Sequence, residues 1–115
     1  MLDFACKTIS IEEVIKCSFG LRKSDLRIFN FLLANLAERF TTDDIAKELQ
    51  LDLSTVQRSV KKLHEEGLVK RTQQNMDSGG YFYVYEIAPK QVIKQKILGI
   101  IHAWVKNLEV AIDRL

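Results

Sequence analysis

Few patterns in this chain of 115 residues point to chemistry, and each gap excludes a class of protein. Its two cysteines, Cys6 and Cys17, are too few for a disulfide scaffold and are not spaced as a metal-ligand pair. A cysteine within an apolar helix is expected to be buried packing, and Cys17 is assigned that place. Its two histidines, His64 and His102, join no cysteine or acidic cluster, so neither a metal nor a cofactor is expected. No glycine-rich phosphate loop and no nucleophile motif occurs, so no catalytic residue is nominated and the chain is not expected to be an enzyme. The first residues lack a basic segment followed by an apolar run, which predicts an intracellular, cytoplasmic chain with no membrane partner. The single proline, Pro89, leaves long stretches without a helix breaker.

A hydrophobic content of 47% at this length predicts a modest core with room for an added helix and none for a separate catalytic domain. Net charge is only +2, but it is unevenly placed. Residues 1 to 52 carry 7 Lys and Arg against 9 Asp and Glu, whereas residues 53 to 115 carry 10 against 6. A basic half of this kind fits a polyanionic partner, the alternative being unpatterned surface charge.

The informative stretch is Phe40 to Arg71, FTTDDIAKELQLDLSTVQRSVKKLHEEGLVKR. Thr42 is placed as an N-cap before Asp43 and Asp44, whose charges suit the positive end of a helix dipole, with Ile45, Ala46 and Leu49 facing inward. After Gln50-Leu51-Asp52, Asp52 caps a second helix whose buried stripe is Leu53, Val56, Val60 and Leu63, and Gly67 supplies the left-handed residue that ends it. The exposed face of that helix carries Ser54, Thr55, Gln57, Arg58 and Lys61. Two helices so joined match the geometry that places a reading helix in the major groove of duplex DNA. Gln pairs bidentately with adenine and Arg with guanine, while hydroxyls and Lys reach bases or phosphates. An ordinary amphipathic helix with a solvated polar face is the alternative for these residues taken alone.

Leu68 to Arg71, a polar turn ending Asp77-Ser78-Gly79-Gly80, and the β-rich run Tyr81 to Ile87 form a hairpin signal. The order helix, helix, hairpin predicts a winged helix-turn-helix: mainly α with a small antiparallel sheet, to which Phe40 and Thr41 add a short third strand. No cation stands at the tip of the hairpin, Asn75 to Gly80. The wing contacts are therefore assigned to phosphates, from Lys70, Arg71, Thr72 and Gln73 or Gln74. Tyr81, Phe82, Tyr83 and Tyr85 are read as strand residues alternating into the core rather than as a stacking platform for bases.

Upstream, Ser10 and Glu13 have the form of a capping box leading into an amphipathic helix with Ile11, Val14, Ile15 and Phe19, closed by Gly20. Met1 to Ile9 shows no clear period. Ser24 is placed as the cap of a central helix holding Leu26, Ile28, Phe29, Phe31, Leu32 and Leu33, apolar nearly all round and so buried. From Pro89, at a helix start, one long helix of about 40 Å is predicted at about 1.5 Å per residue. Its Ile97, Ile101, Trp104, Leu108, Ala111 and Leu115 recur at alternating steps of four and three, a two-helix packing seam. A homodimer through this helix is expected, with Ile97, Ile101, Trp104 and Leu108 at its centre and help from residues 1–19; a helix folded back on its own domain is the alternative. The organisation is then 1–19 as an N-terminal supporting helix, 20–88 as the winged helix, and 89–115 as the dimerisation helix.

The segments SDLRIFNFLL and IAKELQLDLSTVQRSVKKLHEEGLVKR, in this order before a hairpin and a long terminal helix, resemble archaeal winged-helix regulators of the TrmB and MarR-like class. The family pattern is met at Ile45, Ala46, Ser54, Thr55, Val56, Leu63, Gly67, Leu68 and Val69. The resemblance implies a dimeric transcription factor on a pseudo-palindromic operator. It does not extend to the sugar-binding effector domain of long TrmB-like proteins, nor to the Asp-x-Arg of MarR-like wings. Double-stranded DNA and a second copy of the chain are therefore the expected partners. Two alternatives stay open: a winged helix that docks on the transcription machinery, and a repressor that senses a small-molecule effector through an apolar pocket near Trp104.

Overall fold

The computed structural model describes all residues, Met1–Leu115. The elements run β1 (Leu2–Phe4), β2 (Lys7–Ile9), α1 (Ile11–Phe19), α2 (Lys23–Ala34), α3 (Thr42–Leu49), α4 (Leu53–Glu65), β3 (Val69–Asn75), β4 (Tyr81–Ile87) and α5 (Lys90–Asp113). They gather into two units: Leu21–Ala88, and Met1–Gly20 together with Pro89–Leu115. No helix is long and apolar enough to cross a membrane.

In the Leu21–Ala88 unit, α4 packs on both α2 and α3. Ile28, Phe29 and Leu32 of α2, Ile45 of α3, and Val56, Val60 and Leu63 of α4 are buried, and Leu68 just before β3, with Val69, Val84, Tyr85 and Ile87 of the strands, joins them. Removing each such side chain from water contributes about 1.5–3 kcal/mol, and this burial holds the short helices in place. The helix spacing explains why these residues are the ones inside: Val56, Val60 and Leu63 lie along one side of α4 at steps of four and three. Gln50, at φ +54°, makes the left-handed turn out of α3, and the Leu51 N–H returns to the Ala46 carbonyl at 3.0 Å. Gly67, at φ +74°, reverses the chain after α4, a conformation that costs other residues about 1–2 kcal/mol.

β3 and β4 pair antiparallel from Val69↔Ile87 to Asn75↔Tyr81. Their turn requires Gly79 and Gly80 at φ +94° and +82°, and the Met76 N–H donates to the Gly80 carbonyl at 3.0 Å. The expected third strand is reduced to one bridge. Phe40 and Tyr85 exchange both backbone hydrogen bonds, at 2.9 and 2.7 Å, and the pairing stops there because α3 begins two residues later.

Two helix starts differ from the sequence expectation, and a third, α4, begins where expected but without the capping bond. Thr41, not Thr42, caps α3: its hydroxyl accepts from the Asp44 N–H at 3.1 Å, and the Asp44 carboxylate accepts from the Thr41 N–H at 3.0 Å. Thr42 is the first helical residue. Ser24 is likewise inside α2, and Arg22 holds the capping position, its N–H satisfied by the Asp25 carboxylate at 2.8 Å. Asp52 stands at the N-cap of α4 without a side-chain capping bond, and Leu53, placed in the buried stripe, is 41% exposed because it opens the helix before the first full turn reaches the core. In α2, Leu33 is exposed and Leu26 and Phe31 are half-buried, so the helix has an outer face after all.

In the other unit, Met1 to Ile9 forms a hairpin with Leu2↔Ile9, Asp3↔Thr8 and Phe4↔Lys7 in register. α1 is capped by Ser10, whose hydroxyl accepts from the Glu13 N–H at 3.1 Å, and it contacts α5. Ile15, Phe19 and Ile93 are buried, whereas Ile11 is exposed. α5 runs 24 residues, about 36 Å at about 1.5 Å per residue. Beyond Ile97 its apolar side chains, including Ile101, Trp104, Val105, Leu108 and Ile112, all stand in solvent.

Candidate nucleic-acid interface

Ser54, Gln57, Arg58 and Lys61 are exposed on α4 at steps of three, one and three, which sets all four on the side opposite Val56, Val60 and Leu63. Thr55 is half-buried and flanks this stripe. The stripe carries two cations, one amide and one hydroxyl, a set able to donate to base edges and phosphates, and the exposed Glu65 closes the same helical face one turn beyond Lys61. The positive end of α3 lies close by. A groove lined by Thr41, Thr42 and Asp43 of the α3 start, Gln57 of α4, and Met76, Phe82, Tyr83 and Tyr85 of the wing joins the three elements. Thr42 and Gln57 are thus brought together with the wing, while Arg58 and Lys61 lie outside the groove. Asp43 lines the same groove.

Lys70 and Arg71 are both exposed at the base of the wing. Successive residues of a strand point to opposite faces, and the register sets Lys70 opposite Glu86 and Arg71 opposite Tyr85. Arg39 pairs with Glu86 at 3.5 Å, which leaves Lys70 beside a partly neutralised carboxylate. The Arg71 guanidinium lies over the Tyr83 ring, 4.3 Å from its centroid, and the Tyr81 ring meets Tyr83 edge-on at 5.5 Å. Burial pushes the Tyr85 phenol above its ordinary value of 10.0, and the charge of Arg71 pulls it back without cancelling the shift.

Two residues of this region escape a reading of the sequence alone. Thr41 looks interchangeable with Thr42 until the Asp44 bond fixes the cap, and Tyr83 acquires its neighbour Arg71 only through the strand register. Cys17, expected to be buried, is exposed, as is Cys6, and the two are unpaired. No group of three or more His, Cys, Asp or Glu side chains is gathered as a metal ion requires.

A helix-turn-helix followed by a two-stranded wing, with its polar helix face outward, defines a winged helix. Residues 10–108 match the DnaD N-terminal domain, and the chain belongs to that family, whereas the sequence pattern alone points to TrmB and MarR-like regulators. An uncharacterized protein of Methanocaldococcus jannaschii is 36% identical over 115 residues, 100% of this chain and 86% of that protein. A possible transcriptional regulator from Methanosarcina mazei Go1 has a similar structure, with TM-score 0.91 and 45% identity over 99% of this chain and 95% of its own. A mutant of MepR from S. aureus, bound to an oligodeoxyribonucleotide, shares the fold at TM-score 0.56 and 14% identity over 90% of this chain and 72% of its own.

Proposed function

We propose that the chain is a transcriptional regulator that binds double-stranded DNA in a sequence-specific way as a homodimer. The observation that carries this reading is the single outward stripe Ser54, Gln57, Arg58 and Lys61 on α4, standing beside a wing whose exposed cations are Lys70 and Arg71. The similarity to a possible transcriptional regulator supports it, as does the fold shared with the DNA-bound MepR mutant. In this reading Gln57 and Arg58 contact base edges, Ser54, Thr55 and Lys61 contact bases or the flanking backbone, and Thr42, Lys70 and Arg71 hold phosphates. Ile97, Ile101, Trp104 and Leu108 of α5 meet their counterparts in a second copy, which accounts for Ile101, Trp104 and Leu108, apolar side chains that otherwise stand in water. Two copies related by a twofold axis present two reading helices to half-sites spaced by about 34 Å, one turn of the duplex. The test is selection of bound duplexes from a random-sequence pool by the full chain. Enrichment of two inverted half-sites is expected; a selected pool no different from the input pool contradicts sequence reading.

A further inference from the structure

We propose that Tyr83 is a positioning residue of the wing: its ring holds the Arg71 guanidinium ready for a phosphate of the duplex that α4 reads, an assignment that rests on the DNA-binding reading above. The tip of the wing, Asn75 to Gly80, has no cation, so the wing depends on its base. Lys70 belongs to the sheet face of Glu86, and on β3 only Arg71 is a cation on the face of Tyr81, Tyr83 and Tyr85. Arg71 stands opposite Tyr85, and Tyr83 is its diagonal neighbour, within reach of a long side chain leaning along the ladder.

The ring is itself held. Tyr83 is half-buried and meets the edge of Tyr81 at 5.5 Å, while Arg71 above it is exposed. An anchored ring thus presents an accessible cation, with 4.3 Å between the guanidinium carbon and the ring centroid. Tyr83 also lines the groove that contains Gln57 and Thr42, so the same ring that fixes Arg71 borders the reading helix and the start of α3. A guanidinium stacked in advance loses less rotamer freedom when it meets a phosphate, and stacking on one flat face leaves the N–H groups not engaged by the Tyr85 phenol free to donate. The flat face is what matters here, so phenylalanine is expected to replace Tyr83 and lysine is not expected to replace Arg71 fully.

The experiment is fluorescence anisotropy of the full chain on a mixed-sequence DNA duplex at low salt, for Tyr83→Phe, Tyr83→Leu, Arg71→Lys, Arg71→Ala and the double variant Tyr83→Leu/Arg71→Ala. Tyr83→Phe is expected to bind as the wild type does. Tyr83→Leu is expected to weaken binding about two- to fivefold, the equivalent of one exposed cation–π contact, and to cause no further loss once Arg71 is alanine. Arg71→Lys keeps the charge, does not depend on Tyr83→Leu folding, and is expected to weaken binding as well. Equal losses from Tyr83→Leu with and without Arg71, a loss in Tyr83→Phe, or wild-type binding by Arg71→Lys each overturn the assignment while duplex binding stands. A wild-type chain that ignores duplex DNA overturns the DNA-binding reading and this assignment with it.

Discussion

The Asp25 carboxylate, which solvent does not reach, accepts three hydrogen bonds from Arg22: from the backbone N–H at 2.8 Å and from Nε and Nη2 at 3.1 Å each. Burial raises its pKa, but the Arg22 and Ser59 hydrogen bonds and the Arg22 charge outweigh it and hold the group below its ordinary 3.8. A depressed carboxylate stabilises the fold fully above the unfolded value, and that contribution is lost as pH falls through the folded one. Asp25→Ala is therefore expected to cost about 2 kcal/mol at neutral pH, less than the roughly 3–5 kcal/mol for breaking a fully buried pair, because Arg22 is half-exposed and solvent screens it. Asp25→Asn should show a flatter loss of stability below about pH 4 than the wild type, measured as the urea midpoint against pH.

The two adjacent threonines at the start of α3 should separate cleanly. Thr41→Ala removes the capping bond to the Asp44 N–H and is expected to lower stability by about 1 kcal/mol. Thr42→Ala is expected to leave stability within about 0.5 kcal/mol and to weaken DNA binding instead. Thermal melting and duplex titration of both variants check the pair, and a Thr42→Ala chain that melts earlier than Thr41→Ala contradicts the assignment.

Reading and holding should fail differently. Once a cognate site is in hand, Arg58→Ala is expected to cost about 1–3 kcal/mol on it and little on scrambled duplex. Lys70→Ala is expected to weaken both alike and to reduce the log–log salt slope by about 0.9 for each site occupied. Equal losses on both duplexes for Arg58→Ala remove it from the reading set.

Trp104 is 55% exposed on α5, and Leu108 follows it by one turn. If two copies meet there, Trp104→Glu/Leu108→Glu should sediment as a monomer at concentrations where the wild type is a dimer. The same change should weaken cognate binding by far more than it weakens binding to a single half-site. A wild-type chain that sediments as a monomer at micromolar concentration excludes the dimer.

What could be read from the sequence follows from how far its signals reach along the chain. The α3–turn–α4 segment was legible because its inward residues, Ile45, Val56, Val60 and Leu63, recur at helical steps and Gly67 marks the end. The β3–β4 hairpin was legible through its aromatic run and its paired glycines. The β1–β2 hairpin was not: each strand has only three residues, and the turn between them passes through Ala5 at φ +50°, where the usual glycine or asparagine would have announced it. Arg22 at a capping position has no rule to nominate it, because the oxygen that satisfies its N–H belongs to Asp25, three residues on. The stripe on α4 was visible as composition, whereas the Arg71–Tyr83 stack depends on a strand register that only the folded turn sets.

The most direct test of DNA binding is the salt dependence of the full chain's affinity for duplex DNA, measured between about 50 and about 200 mM salt. Contacts from Lys61, Lys70 and Arg71 on each of two copies predict a linear fall of log K with log salt, with a slope of about −5, about 0.9 for each of about six phosphates neutralised. No measurable binding at the low-salt end, or an affinity that salt leaves unchanged, would contradict a nucleic-acid role for the α4 stripe and the wing.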